Sequence, residues 1–341
     1  MLCVKVPVKE AEKMKNELLA KGLFDREHSI AKDEGFVYFP VTGKCKSENA
    51  KNKYCLVNKK LEKKELQTDL KTALKEKLGK KDLKNLRKAM DVIGNIAILE
   101  IPQELENTEK EKIIAKEVLR LNRNIKTVLR KGKHEGVFRV QKLKHLAGEK
   151  TKEANYRENN VIMKLDVEQV YFSPRLSTER KRIMQLVKKS EDILVMFSGC
   201  APYVCVLAKN TPARRVDGVE INPVAHDYAL QNITLNKLKN AGVFLGDVKD
   251  VVLKLNRGYD RIIMPLPKSA ADYLDVALAA SRKGTIIHFY DFQKEGEFEK
   301  SVEKIKKAFE PAGKKFKVLN IVKCGQNAPR EFRICVDLEI L

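Results

Sequence analysis

The chain has 341 residues, with 68 Lys and Arg against 46 Asp and Glu, a net charge of +22 and 43% hydrophobic side chains. That is enough for two or three domains, which excludes a single small binding module and a disordered tail. The charge is uneven: residues 1–160 hold 38 basic and 24 acidic side chains, and residues 41–90 hold 16 and 6. A surplus of this kind suits a polyanion such as nucleic acid, bound with salt-sensitive affinity. A lysine-rich, heat-adapted surface is the competing explanation, but Glu would then rise with Lys, and here it does not.

Seven cysteines, Cys3, Cys45, Cys55, Cys200, Cys205, Cys324 and Cys335, form no C-x-x-C pair and no cluster with His. They read as reduced thiols of a cytoplasmic protein, and no metal is expected. The start MLCVKVPVKEAEKMK has no apolar signal core, and no apolar run approaches the ~18 residues of a membrane span, so no membrane association is expected. Nothing in the sequence fixes an oligomeric state; a monomer is the expectation.

In chain order, Leu2, Val4 and Val6 alternate, a helical pattern runs from Lys9 to Lys21, and residues 35–40 (GFVYFP) read as a strand. Leu61, Leu66, Leu70, Leu74 and Leu78 then recur at mostly helical spacing, so residues 44–88 fit either helices or a charged connection. Residues 92–101 read as one strand, 108–122 as a helix opened by a Thr108/Glu111 capping box, and 125–129 as another strand. From 161 onward, strand and helix alternate: strands at 161–167, 192–197, 214–221, 241–247, 261–267 and 284–292, helices at 177–189, 202–209, 223–236, 269–281 and 297–310, and two final strands. This pattern predicts a doubly wound α/β sheet (161–341) behind two smaller αβ modules, a small N-terminal one (1–60) and a middle one (61–160).

Ligands of such sheets bind beyond the carboxyl ends of the strands. Three places qualify: the small-residue turn Phe197-Ser198-Gly199-Cys200-Ala201-Pro202, the acid of Glu220-Ile221-Asn222-Pro223, and Gly246-Asp247-Val248. A turn, then an acid suited to ribose hydroxyls, then a second suited to an adenine amino group point to an adenosine-type cofactor. The G-x-G-x-x-G phosphate cradle is missing, which fits S-adenosylmethionine better than a dinucleotide.

Phe138-Arg139-Val140, the His145–Glu149 segment HLAGE, Val170-Tyr171-Phe172-Ser173-Pro174-Arg175-Leu176, Glu179-Arg180, Asn222-Pro223, Met264-Pro265-Leu266-Pro267-Lys268 and Ala328-Pro329-Arg330-Glu331-Phe332 together resemble the archaeal tRNA (guanine(37)-N1)-methyltransferase family over almost the whole chain. The resemblance implies a Rossmann-like class I methyltransferase domain, a small N-terminal domain that contacts the body of the tRNA, S-adenosyl-L-methionine as cofactor and tRNA as partner. Guanine N1 is protonated at neutral pH, so its methylation calls for a base and for a donor to the charge developing on O6. The matched positions imply Glu179 as base and Arg139 as donor; without the resemblance, Glu179 reads as an exposed first-turn acid and Arg139 as a phosphate contact. The cofactor set comprises Tyr171, Phe172, Arg175, Arg180, Phe197, Ser198, Gly199, Glu220, Ile221, Asn222, Asp247, Val248, Pro265, Leu266 and Pro267. Taken alone, Tyr171 and Phe172 would read as core aromatics and Arg175 and Arg180 as solvated side chains.

Three positions depart from the family pattern. Met196 stands where an Asp is common, Cys200-Ala201 where a Gly-rich turn is expected, and Pro265 where many members carry Asn. Proline has neither a side-chain amide nor a backbone N–H to offer a nucleobase. The departure at Pro265 keeps open a bifunctional or wyosine-pathway enzyme at the same nucleotide, acting by C7 methylation or aminocarboxypropyl transfer on a tricyclic precursor. A catalytically inactive tRNA-binding protein is the reading from another class, and the retained acids Glu220 and Asp247 weigh against it.

Overall fold

The computed structural model describes residues 1–48, 54–63, 69–86, 90–135 and 140–341. They form two compact units, Met1–Ala73 and Leu74–Leu341. The first is an antiparallel sheet in the order Ala31–Asp33, Phe36–Pro40, Leu2–Pro7, Leu56–Asn58. Val4, Val6, Val37 and Phe39 from its strands bury against Leu18 of the helix Ala11–Ala20. The anticipated limit at 60 lies inside this unit. Of the leucine series, Leu74 and Leu78 are buried on the far side of the division, and Leu66 lies outside the described residues.

The second unit begins with a four-stranded sheet, Met90–Ile93, Ile96–Leu99, Thr127–Glu135 and Val140–Gly148, carrying the helix Glu109–Leu121. Residues 92–101, expected as one strand, are a hairpin. Gly94, at φ +59°, turns the chain where a Cβ would stand 2.2 Å from the Asn155 carbonyl oxygen, and Gly-Asn is a two-residue turn signal that the apolar alternation had masked. The capping box does not form either. Thr108 Oγ1 donates to the Leu105 carbonyl (2.7 Å), while Glu111 is buried and pairs with Arg130 (2.9 Å) and Lys144 (2.7 Å) of the sheet.

A hairpin of Glu153–Glu158 and Val161–Asp166 follows, turning through Asn159 and Asn160, both at positive φ. The anticipated boundary at 160 falls in this turn, and the middle module and the C-terminal sheet belong to one unit.

The large sheet comprises β1 (Asp192–Met196), β2 (Arg215–Glu220), β3 (Ala241–Leu245), β4 (Tyr259–Met264), β5 (Ser281–Lys294), β6 (Phe316–Ala328) and β7 (Glu331–Ile340). Their spatial order is β3-β2-β1-β4-β5-β7-β6, parallel up to β5 and antiparallel beyond it. The helices are α1 (Ser177–Leu186), α2 (Pro202–Asn210), α3 (Pro223–Leu235), α4 (Val248–Leu255), α5 (Leu274–Ala279) and α6 (Glu299–Phe309). One face of the sheet buries Leu194, Met196, Ile262 and Phe289 against α4–α6, the other Ile193, Val195, Val216 and Ile263 against α1–α3. Strand order reverses between β1 and β4, so the carboxyl ends of β1, β2 and β4 open a crevice at that point. No helix of the described residues is long and apolar enough to cross a membrane.

Candidate active site

The crevice is a cleft of about 230 Å³. Its floor is the turn after β1, where Phe197 (φ +56°), Gly199 (+57°) and Ala201 (+65°) are all left-handed. Two of these carry side chains, a strain of order 1–2 kcal/mol per residue that surrounding packing must hold. Ala201 is fully buried; Phe197 packs edge-on against Tyr273, with ring centroids 4.8 Å apart. The Ser198 hydroxyl is buried with no hydrogen-bond partner among the described residues.

At the end of β2, Glu220 accepts from the backbone N–H groups of Gly199 (2.7 Å) and Asn222 (2.8 Å). Burial nevertheless holds its carboxyl above the ordinary glutamate range, the N–H donors offsetting only part of the effect. Asn222 caps α3 through Val224 N–H (3.0 Å) and donates to the Gln169 carbonyl (2.9 Å). Asp247 caps α4, one oxygen accepting from Lys249 N–H (2.8 Å). The cleft thus presents two carboxylates, an apolar wall that includes Ile221, Val248, Leu266 and Tyr273, and an orphaned hydroxyl. These suit the hydroxyls, the ring and the amino group of an adenosine-type cofactor.

A second, polar cavity of about 270 Å³ adjoins the first, and Tyr171, Phe172 and Ser173 line both. Asp91, Lys131 and Gln141 from the middle sheet and Cys324, Gln326, Asn327 and Arg333 from the β6–β7 hairpin complete it.

Glu179, buried in the first turn of α1, lines neither cavity. Arg182 donates to both of its oxygens (2.8 and 2.7 Å), and Tyr290 donates to Oε1 (2.6 Å). Cys324, in the wall of the polar cavity, lies near it, its thiol pushed up by burial and by the Glu179 charge. Arg182 also holds Asp337 (2.6 Å), which accepts from His288 Nδ1 (2.6 Å). His288 Nε2 in turn meets Arg261 (2.7 Å), whose guanidinium forks onto Glu191 (2.8 and 2.9 Å). Burial would raise the Asp337 carboxyl, but His288 and Arg182 hold it far below the carboxylate range; burial keeps His288 neutral. His288, Cys335 and Asp337 lie close enough together to suggest a metal site. Arg261 occupies the outer histidine nitrogen, so the group is a hydrogen-bond cluster instead.

Of the expected cofactor residues, Tyr171, Phe172, Arg180, Phe197, Ser198, Gly199, Glu220, Ile221, Asn222, Asp247, Val248, Pro265 and Leu266 line the cleft. Arg180 does so with its charge taken up by Glu158, to which one Nη donates at 2.6 Å beside a second bond from Nε. Arg175 does not line it: exposed, it pairs with Asp91 at 2.8 Å, and both line the polar cavity instead. Pro267 is buried outside the lining. Met196 is a fully buried core residue, so no acid stands at the end of β1. Arg139 lies outside the described residues. Pro202, the last residue of the anticipated turn, also lines the cleft, as do Ser173, Leu176, Tyr203, Ala225, Ser269 and Tyr273, which were not anticipated. Pro202, which opens α2, carried a helix-start signal; the others are apolar or hydroxyl positions that read as ordinary packing.

The sequence model of the TRM5/TYW2 methyltransferase domain matches residues 154–319, that of the TYW2 N-terminal domain residues 70–151, and that of the tRNA methyltransferase 5 N-terminal domain residues 3–49. The tRNA (guanine(37)-N(1))-methyltransferase Trm5b of Pyrococcus abyssi is 36% identical over 99% of both chains, and its namesake from Methanocaldococcus jannaschii 31% identical over 99% of this chain and 98% of its own. The crystal structure of Trm5b from Pyrococcus abyssi superposes with a TM-score of 0.74 at 35% identity, covering 100% of this chain and 99% of its own. That of aTrm5 in complex with tRNALeu gives 0.71 at 31% identity over the whole of both chains. The chain belongs to the TRM5/TYW2 family of methyltransferases.

Proposed function

We propose that this chain transfers a methyl group from S-adenosylmethionine to N1 of guanosine 37 of tRNA, the nucleotide 3′ to the anticodon. The observation that carries this reading is a pair of adjoining cavities. A cleft with two carboxylates at strand ends shares Tyr171, Phe172 and Ser173 with a polar chamber, and a buried Glu179 lies near its Cys324 wall. S-adenosylmethionine supplies a methyl group activated on a sulfonium; Glu220 would hold its ribose hydroxyls, Asp247 its adenine amino group, and the turn at 197–202 its methionine part.

The chamber would take a flipped-out guanine, with Tyr171 beside the base. Glu179 would accept the N1 proton as general base. Arg139, two positions before the chamber residue Gln141, would stabilise the charge on O6. Three modules, 1–60, 61–160 and 161–341, divide the work, the first two gripping the tRNA; the family matches at 3–49, 70–151 and 154–319 support this division. Seven free cysteines support action in the cytoplasm.

Labelled S-adenosylmethionine and two unmodified tRNA transcripts, one with G and one with A at position 37, test the proposal. Label is expected in the first alone. Equal labelling of both would refute guanosine 37 as the target. A second reading rests on Pro265, which lines the cleft where an amide is common: labelling only of tRNA that carries the tricyclic precursor would favour the wyosine-pathway activity. The curated Nanoarchaeum equitans relative named for both substrates is 34% identical over 63% of this chain.

A further inference from the structure

We infer that Tyr290 is a positioning residue for methyl transfer: its hydroxyl, donated to Glu179 and itself accepting from the Tyr203 hydroxyl of the cofactor cleft, fixes the place of the Glu179 carboxylate behind the polar cavity. This rests on the proposal that Glu179 is the base.

The geometry is a short chain of oxygens. Tyr203 Oη lies 3.0 Å from Tyr290 Oη, which lies 2.6 Å from Glu179 Oε1. All three residues are at most 5% exposed, and Tyr203 lines the cleft. The directions follow from chemistry. A carboxylate already paired with a guanidinium only accepts, so Tyr290 donates to it, and the Tyr290 oxygen is then left to accept from Tyr203. Burial raises both phenols well above their ordinary range, so neither ionises near neutrality.

Around Glu179 stand Arg182 on its own helix, Tyr290 on β5, Cys324 on β6, Cys335 on β7 and Tyr203 on α2, with Asp337 and His288 beyond Arg182. Arg182 grips both carboxylate oxygens and Asp337 together, so its removal would also strand Asp337. Tyr290 is the separable anchor, because phenylalanine keeps the ring and loses one donor. In the reaction the N1–H bond of guanine breaks and its proton forms an O–H bond on Glu179; the N1 electron pair forms the N1–CH3 bond as the methyl–sulfur bond of the sulfonium breaks, its pair staying on the sulfur of the leaving thioether. A donor bond to a carboxylate is weakened when the carboxylate takes up a proton, so the Tyr290 bond bears on proton transfer to Glu179 beside the Arg182 charge.

The test is the pH dependence of single-turnover 1-methylguanosine formation on G37 tRNA by Tyr290→Phe. Its acid limb is expected about one pH unit higher than that of the unaltered enzyme, with rates on the limb about tenfold lower and dissociation constants for cofactor and tRNA within about twofold. Tyr203→Phe should shift the limb in the same direction by less, and it decides the matter if Tyr290→Phe does not fold. A limb that superimposes on that of the unaltered enzyme, or a rate loss spread evenly over pH, would overturn the inference. Glu179→Gln separates the two claims. If it transfers at the unaltered rate, the base assignment fails; if it is inactive while the tyrosine variants keep the original limb, only the role of Tyr290 fails.

Discussion

In the proposed site Glu220 would hold the ribose at the expense of the fold. Burial raises its carboxyl above the ordinary value, so the fold favours the protonated form more than the unfolded chain does. That contribution is fully present below the ordinary glutamate value near 4.5 and is lost as pH rises through the raised value. Hydroxyl donors of a ribose act in the opposite sense, because they bind the charged form. Affinity for S-adenosylhomocysteine should therefore strengthen as pH rises across that window and then level off. Calorimetry in a pH series, repeated with Glu220→Ala, checks this: the variant should bind at least tenfold more weakly and without the pH trend, the loss of about 1.5–3 kcal/mol from a charge-assisted bond. An unaltered affinity in the variant would mean that the ribose is held elsewhere.

At the scale of elements, α3 deals with an exposed strand edge. Asn232 and Asn236, one turn apart, imitate the edge of a neighbouring strand: Asn232 accepts from Lys164 N–H (2.7 Å) and donates to its carbonyl (3.0 Å), and Asn236 does the same at Ile162 (3.0 and 2.6 Å). The hairpin edge that would otherwise be open is thereby closed by side chains. Asn232 also donates to the Cys200 carbonyl (3.0 Å) in the cofactor turn, linking hairpin and cleft. Asn232→Ala should lower stability by about 2–3 kcal/mol, since buried backbone groups lose three partners, and urea unfolding measures it. A loss under about 0.5 kcal/mol, typical of a surface position, would show that these bonds do not secure the hairpin.

Periodicity reached the parallel strands because each is an apolar run between turns. It missed α4, whose start Asp247 was read only as a ligand although the same carboxylate caps the helix. It joined two strands across Gly94-Asn95 because every neighbour is apolar. The acids at the ends of β2 and β3 were legible because topology fixes where strand ends meet. The surroundings of Glu179 were not: Arg182 lies three residues away on its helix, but Tyr290, Cys324 and Asp337 come from strands 111 to 158 positions on, and only tertiary pairing brings them together. The pairing of Arg175 was not legible because its partner, Asp91, is 84 residues back in the middle module.

Across the whole molecule, a charge of +22 and two adjoining cavities answer different questions. The charge suits a polyanion without reading its sequence, whereas in the proposed function the chamber and Glu179 would select one base and one atom on it. Nucleic-acid binding alone would need no carboxylates at two strand ends and no buried acid behind the second cavity. The claim that joins these features is chemical, that the methyl group arrives on N1 of the guanine. The most direct measurement is therefore nucleoside mass spectrometry of G37 tRNA after reaction with S-adenosylmethionine, with retention times compared against the isomeric methylguanosines. The account predicts 1-methylguanosine at position 37 as the product; methyl on N7, N2 or the ribose, or on another nucleotide, would contradict it.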